Sequence, residues 1–180
     1  LVGSIGDRSY TANWTPITYN ITYDLDGGSV ATANPTSYNV TTNTFTLNNP
    51  TKTGYTFDGW TGSNGSTPQT TVTINQGSIG DLSYTAHWTI ITYDITYDLD
   101  GGSVATANPT TYDVETPTFT LTNPTKTGYT FAGWTGSNGN TPQTTVTITQ
   151  GSIGDRSYTA HWTLNTYNIA YDLDGGSVAM

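Results

Sequence analysis

Trp14, Trp88 and Trp162 follow one another at intervals of 74 residues, and Tyr19, Tyr93 and Tyr167 keep the same step, as do Trp60 and Trp134. A fixed period of this length marks a tandem array, and it constrains the fold more than any single motif, because the structure must close within one period and repeat. Aligned on that step, residues 17–90 and 91–164 are two complete copies, 1–16 is the tail of a preceding copy and 165–180 the head of a following one. The complete copies differ at eleven positions: Asn20/Asp94, Ser37/Thr111, Asn39/Asp113, Thr41/Glu115, Asn43/Pro117, Asn48/Thr122, Asp58/Ala132, Ser66/Asn140, Asn75/Thr149, Leu82/Arg156 and Ile90/Leu164. Most of these exchange one polar or charged side chain for another, so the variable positions are expected to face solvent and the fixed ones to build core and turns. Leu1, Val2 and Met180 depart from the repeat pattern, which suggests ends that were cut or added, and the chain is expected to be a window on a longer array. The joints Thr15-Pro16-Ile17, Thr89-Ile90-Ile91 and Thr163-Leu164-Asn165 hold no Gly/Ser-rich linker. Neighbouring copies are therefore expected to abut as a semi-rigid rod, each copy ~30 Å across by compact-domain scaling.

Inside a copy the hydrophobic period is two. Residues 18–25 alternate, with Tyr19, Ile21, Tyr23 and Leu25 on one face and Thr18, Asn20, Thr22 and Asp24 on the other, until Asp26-Gly27-Gly28 ends the run. Asn34-Pro35 is a turn, a short strand is expected near 38–41, and 44–47 brings Phe45 and Leu47 inward before Asn48-Asn49-Pro50 breaks the chain. In 54–60, Tyr55 and Phe57 share a face and Trp60 caps the run just past Gly59. Asn64-Gly65 and Asn138-Gly139 read as tight-turn dipeptides. Residues 71–74 present Val72 and Ile74, 76–81 form a glycine-bounded turn with room for one turn of 3₁₀ helix, and 84–88 close the unit as an alternating strand. No segment sustains a helical period. The fold class expected is mainly β: small tandem domains with little or no helix, set end to end as a rod. The core residues expected are Tyr23, Leu25, Phe45, Leu47, Tyr55, Phe57, Trp60, Val72, Ile74, Tyr84 and Trp88 in the first copy. In the second they are Tyr97, Leu99, Phe119, Leu121, Tyr129, Phe131, Trp134, Val146, Ile148, Tyr158 and Trp162.

Composition narrows the functions open to such an array. The net charge is −9 and the only cations are Arg8, Lys52, Lys126 and Arg156, so no basic cluster exists to neutralise nucleic-acid phosphates, and an acidic surface is repelled by anionic lipid. No apolar run approaches the ~18–20 residues of a membrane span, and no signal peptide is visible, so targeting segments of an exported protein would lie outside these residues. With no Cys there is no disulfide framework, and ~74 residues make only a modest core in which every large aromatic counts.

The head YDITYDLDGGSV, the middle NPTKTGYTFAGWTG and the closing YTAHW together resemble the Listeria–Bacteroides repeat, the family that includes the internalin B-repeat. The resemblance runs over both copies and both fragments. It implies a β-grasp-like fold, an extracellular place on a bacterial surface or in a secreted protein, and tandem copies that serve as a stalk or adhesive spacer. The family brings no catalytic residues to transfer.

Read for chemistry, the sequence offers little. Asp24 and Asp26, with Asp98/Asp100 and Asp172/Asp174, form a D-x-D-G-G motif reminiscent of a calcium loop, but Pro35 stands where an EF-hand needs its bidentate Glu, and a solvated turn is the plainer reading. His87 and His161 are replaced by Asn13 in the first fragment and have no second His or Cys in their copy, so outward strand positions are expected. Lys52 and Lys126, each between two threonines, are expected to be exposed; a Lys–Asn isopeptide bond in each copy is the sharper alternative. The sequons at Asn13, Asn20, Asn39 and Asn64 are those expected by chance in so Asn/Thr-rich a chain. No catalytic, cofactor or metal residues are assigned.

Three uses of the repeat stay open: a spacer, an adhesion module, and a filament-forming unit completed head to tail between chains. A spacer would use PTKTGYTFxGWTGSNG as scaffold. A weak, avidity-driven adhesion module would present an aromatic beside the turn Ser63, Asn64, Ser66 and Thr67, repeated at Ser137, Asn138, Asn140 and Thr141, to a glycan or host matrix protein. Burial of Trp60 separates them. The partners expected are neighbouring repeats, and other chains joined head to tail through unpaired strands at 9–15 and 166–172.

Overall fold

The computed structural model describes residues 3, 5–172 and 174–176. It divides into two compact units, Leu1–Ile90 and Ile91–Met180, and among the described residues there is no helix. The first unit holds β1 (Tyr19–Asp24), β2 (Ser37–Tyr38), β3 (Phe45–Thr46), β4 (Tyr55–Gly62), β5 (Gly65–Gln69), β6 (Thr73–Ile74) and β7 (Leu82–Ile90). The second repeats them as β8 (Tyr93–Asp98), β9 (Thr111–Tyr112), β10 (Phe119–Thr120), β11 (Tyr129–Gly136), β12 (Gly139–Gln143), β13 (Thr147–Ile148) and β14 (Arg156–Leu164).

Each unit is one five-stranded sheet and a small two-stranded one. The large sheet has the order β2-β1-β7-β4-β5, and the small one pairs β3 with β6. The first and last strands, β1 and β7, are central neighbours and run parallel, from Ile21 opposite Leu82 to Asp24 opposite Thr85; every other pair is antiparallel. This central parallel pair of first and last strands is the sense in which the unit is β-grasp-like. The glycine-bounded segment 76–81 forms a turn and a bend, not a helical turn.

The core lies on one face of the large sheet. Ile21, Tyr38, Leu47, Trp60, Val72, Ile74, Tyr84 and Ala86 are buried together, with Tyr19, Tyr23, Leu25, Phe45, Phe57, Leu82 and Trp88 packed half-buried against them. The second unit repeats the arrangement around Trp134. Burying each large side chain is worth about 1.5–3 kcal/mol, which a unit without disulfides needs. Asn34 is the buried polar side chain in the first unit. Its amide spans two loops, accepting from Asn48 N at 2.7 Å and donating to Asn48 O at 2.9 Å.

Four expectations need correction. Tyr129, 38 % exposed, and its counterpart Tyr55 lie outside the two cores, under the Lys126 and Lys52 ammonium groups. Tyr38 and Tyr112 are core residues, held by hydrogen bonds to Gly80 O and Gly154 O. Leu82, at a variable position, packs against the first core; its counterpart Arg156 keeps the place by donating from Nε to Tyr112 Oη at 2.9 Å. The tight loop between β4 and β5 is Ser63-Asn64, and Gly65 opens β5. Outside the two sheets, 9–15 and 166–172 form no strand among the described residues, and Trp14 is 89 % exposed.

Candidate functional site

The stretch around Trp60 has an odd parity. Phe57 packs against the core from β4, and strict alternation would send Trp60 to the opposite face. The register against β7 shifts between Phe57, opposite Trp88, and Gly59, opposite His87, so Asp58 is a bulged residue outside the register, its carboxylate accepting from Thr89 Oγ1 at 2.8 Å. One extra residue reverses the alternation. Trp60 therefore turns back into the core, where it has no exposed surface. Its ring meets Phe57 edge-on at 5.5 Å and Tyr23 at 5.9 Å, and its Nε1 donates to Asn49 Oδ1 at 3.0 Å. Gly59 at φ 139° lies so close to Gln69 and Pro68 that a Cβ would overlap their backbone. Trp60 and Trp134 are therefore core residues and not exposed ligand platforms.

The adjoining turn is also occupied with its own structure. Ser63 Oγ accepts from Ser83 N at 2.9 Å, and Asn64 Nδ2 donates to Trp60 O at 2.7 Å; Ser137 and Asn138 repeat both bonds. The Oδ1 atoms of Asn64 and Asn138 are buried without a partner. Ser66, Thr67, Asn140 and Thr141 sit exposed on the edge strands β5 and β12.

A concave feature among the described residues lies elsewhere, beside the Asp-Gly-Gly turn of the second unit. Asp98 Oδ1 accepts from Asp100 N at 3.0 Å and Asp100 takes a left-handed backbone at φ 45°, which folds the chain back so that Gly102 N reaches Leu99 O at 2.9 Å. Gly102 lets the Trp162 ring lie against the backbone, where a Cβ would overlap it, and Trp162 Nε1 donates to Leu99 O at 3.2 Å. Lys126 then covers the turn: its Nζ donates to Asp100 O at 2.6 Å, stands 3.6 Å from the Asp100 carboxylate, and sits 4.6 Å over the Tyr129 ring. Between these groups is a groove of about 410 Å³, lined by Ser103, Thr125, Thr127, Tyr129, Phe131 and Trp162 among others. Hydroxyls beside aromatic faces give it the chemistry to hold a polar ring-shaped ligand.

The first unit has the same turn, with Lys52 Nζ 3.4 Å from Asp26 and 4.3 Å over Tyr55. The lysines are thus three-quarters covered rather than exposed, and their bonds go to Asp26 and Asp100, not to asparagine. The paired aspartates are turned apart, Asp24 to its own turn and Asp26 to the ammonium. Among the described residues no three His, Asp or Glu side chains are placed to hold a metal. His87 and His161 sit on the face away from the core, Nε2 at 2.7 Å from Thr61 and Thr135 Oγ1. The sequence reading missed the groove because its parts are distant in the chain. The signal was there in Lys52 and Tyr55, three apart after a proline, together with the Asp-Gly-Gly turn.

Comparison with known proteins bears on both units. The model of the Listeria-Bacteroides repeat domain matches residues 19–87 and 93–157. A protein of Evansella cellulosilytica described as a Gly-rich membrane protein is 27% identical over 168 residues, 92% of this chain and 18% of its own length. Internalin H of Listeria monocytogenes is 37% identical over 87 residues, 47% of this chain and 15% of its own. The chain thus spans less than a fifth of either relative. No solved structure matches it at comparable significance.

Proposed function

The chain belongs to the Listeria-Bacteroides repeat family, and from that premise we propose that it is a non-catalytic spacer in a bacterial surface protein, holding a functional tip away from the cell envelope. The observation that carries this reading is where the aromatics are spent: Trp60 and Trp134, the centres of the repeated motif, are sealed in the two cores. Internalin H and the membrane protein of Evansella, both several times longer than this chain, support an extracellular place for it. The test is reach. A reporter binding domain displayed on a bacterial cell above zero, two or four copies should become more accessible to a bulky antibody as copies are added. Accessibility that ignores copy number would overturn the spacer reading.

One observation favours a second use. Tyr129 stands exposed at the mouth of the hydroxyl-lined groove, which suits weak binding of a glycan summed over copies. Screening residues 17–164 against glycans and matrix proteins, with calcium present and absent, tests it; saturable binding lost in Tyr129→Ala would establish an adhesive role.

A further inference from the structure

We propose that each copy is a tension-bearing clamp, loaded in shear between its first and last strands; this rests on the spacer reading, since only a tethering segment carries load. Tension enters a copy at the N-terminal end of β1 and leaves it at the C-terminal end of β7. These strands are parallel neighbours, so the two pulls act in opposite directions along one line. All the ladder bonds between Ile21–Asp24 and Leu82–Thr85 then resist together. Had the terminal strands been antiparallel, the same pull would open the bonds one at a time.

Ties at both ends lengthen the clamp beyond the ladder. Ahead of it, Asn20 N donates to the Asp81 carboxylate at 2.7 Å, a charge-assisted bond of the stronger kind. Past its end, Trp88 Nε1 reaches Leu25 O at 3.2 Å while the indole lies against Gly28. The second copy has the same ties, Asp94 N to Asp155 at 2.9 Å and Trp162 to Leu99 at 3.2 Å. Asp81, Trp88 and Gly28 are all unchanged between copies. Both clamp strands have a second neighbour, β2 beside Tyr19 and Asn20 of β1 and β4 beside β7 from Tyr84 onward.

A chain without cysteine lets the direction of pull be chosen. Handles at Ile17→Cys and Leu164→Cys, both exposed positions, load the two copies end to end. Handles at Ile17→Cys and Ile79→Cys, also exposed, pull β1 and β7 from the same end and peel them apart. In single-molecule force spectroscopy the end-to-end pull should give two abrupt events, each freeing up to ~240–270 Å of chain, and the peel should open copy 1 at clearly lower force. Under constant end-to-end load, Asp81→Ala with Asp155→Ala should rupture about tenfold sooner, the equivalent of about 1.4 kcal/mol. Equal forces in the two directions overturn the clamp, and so does a rupture rate that the aspartate variant leaves alone; if that variant does not fold, the directional comparison decides. Weak copies with normal reach on the cell would end the clamp and keep the spacer, whereas reach independent of copy number would end the spacer whatever the force.

Discussion

Tyr23 shows how much a single side chain does in so small a core. Its hydroxyl donates to Pro35 O at 2.9 Å and its ring stacks on Tyr84 at 6.0 Å. Burial, with the Tyr84 hydroxyl beside it, pushes its pKa up to about 12, and Tyr97 in the second unit is pushed up to about 12 by burial and Tyr158. A raised folded-state value means that the folded protein keeps a proton the unfolded chain has lost. The stability this contributes is whole below the unfolded value of about 10 and is lost as pH rises through about 12. Circular dichroism followed from pH 9 upward should show unfolding that coincides with the rise in tyrosinate absorbance. Tyr23→Phe should cost about 0.5–1.5 kcal/mol at neutral pH and flatten the alkaline loss in the first unit; an unaltered alkaline profile would refute the assignment.

At the scale of the element, β4 is where sequence and structure part company. The alternation that made β1 and β7 legible continues through Tyr55 and Phe57 and then fails, because a bulge leaves no trace in a period-two count except a glycine in the wrong place. Gly59 is that trace. Gly59→Ala should destabilise the first unit by about 1–3 kcal/mol, since its Cβ would meet the Gln69 backbone. Hydrogen exchange should show the loss first in the pairing of β4 with β5, and uniform protection in the variant would argue against the bulge. The two-residue strands were harder to read than the long ones. Tyr38 belongs to β2, too short for any period, and its burial depends on the distant Gly80 carbonyl. The groove was illegible for a similar reason: Asp100, Lys126 and Trp162 meet only after the sheet has formed. What the repeat did make plain was the division of labour, with nearly all variation on exposed or half-exposed positions and every core aromatic kept.

Across the whole molecule, each unit owns a complete core, so damage to one should stay there. Trp60→Ala should remove about 3–5 kcal/mol, a large share of the ~4–11 kcal/mol that a domain of this size holds. Calorimetry of the variant should show one transition shifted or absent and the other unmoved. A joint shift would mean that the units unfold as one. The parallel pairing of β1 with β7 has a further consequence, for how such a chain is made. The Asn20 amide and its Asp81 partner are separated by 61 residues, and the ladder between a copy's opening and closing strands cannot form until the closing strand exists. A chain passing through a narrow secretion pore, leading end first, therefore remains threadable up to the last residues of each copy. Once those residues clear the exit, the loop closes and the newly folded copy is too wide to slip back. An array of these repeats would thus be drawn outward one copy at a time by its own folding.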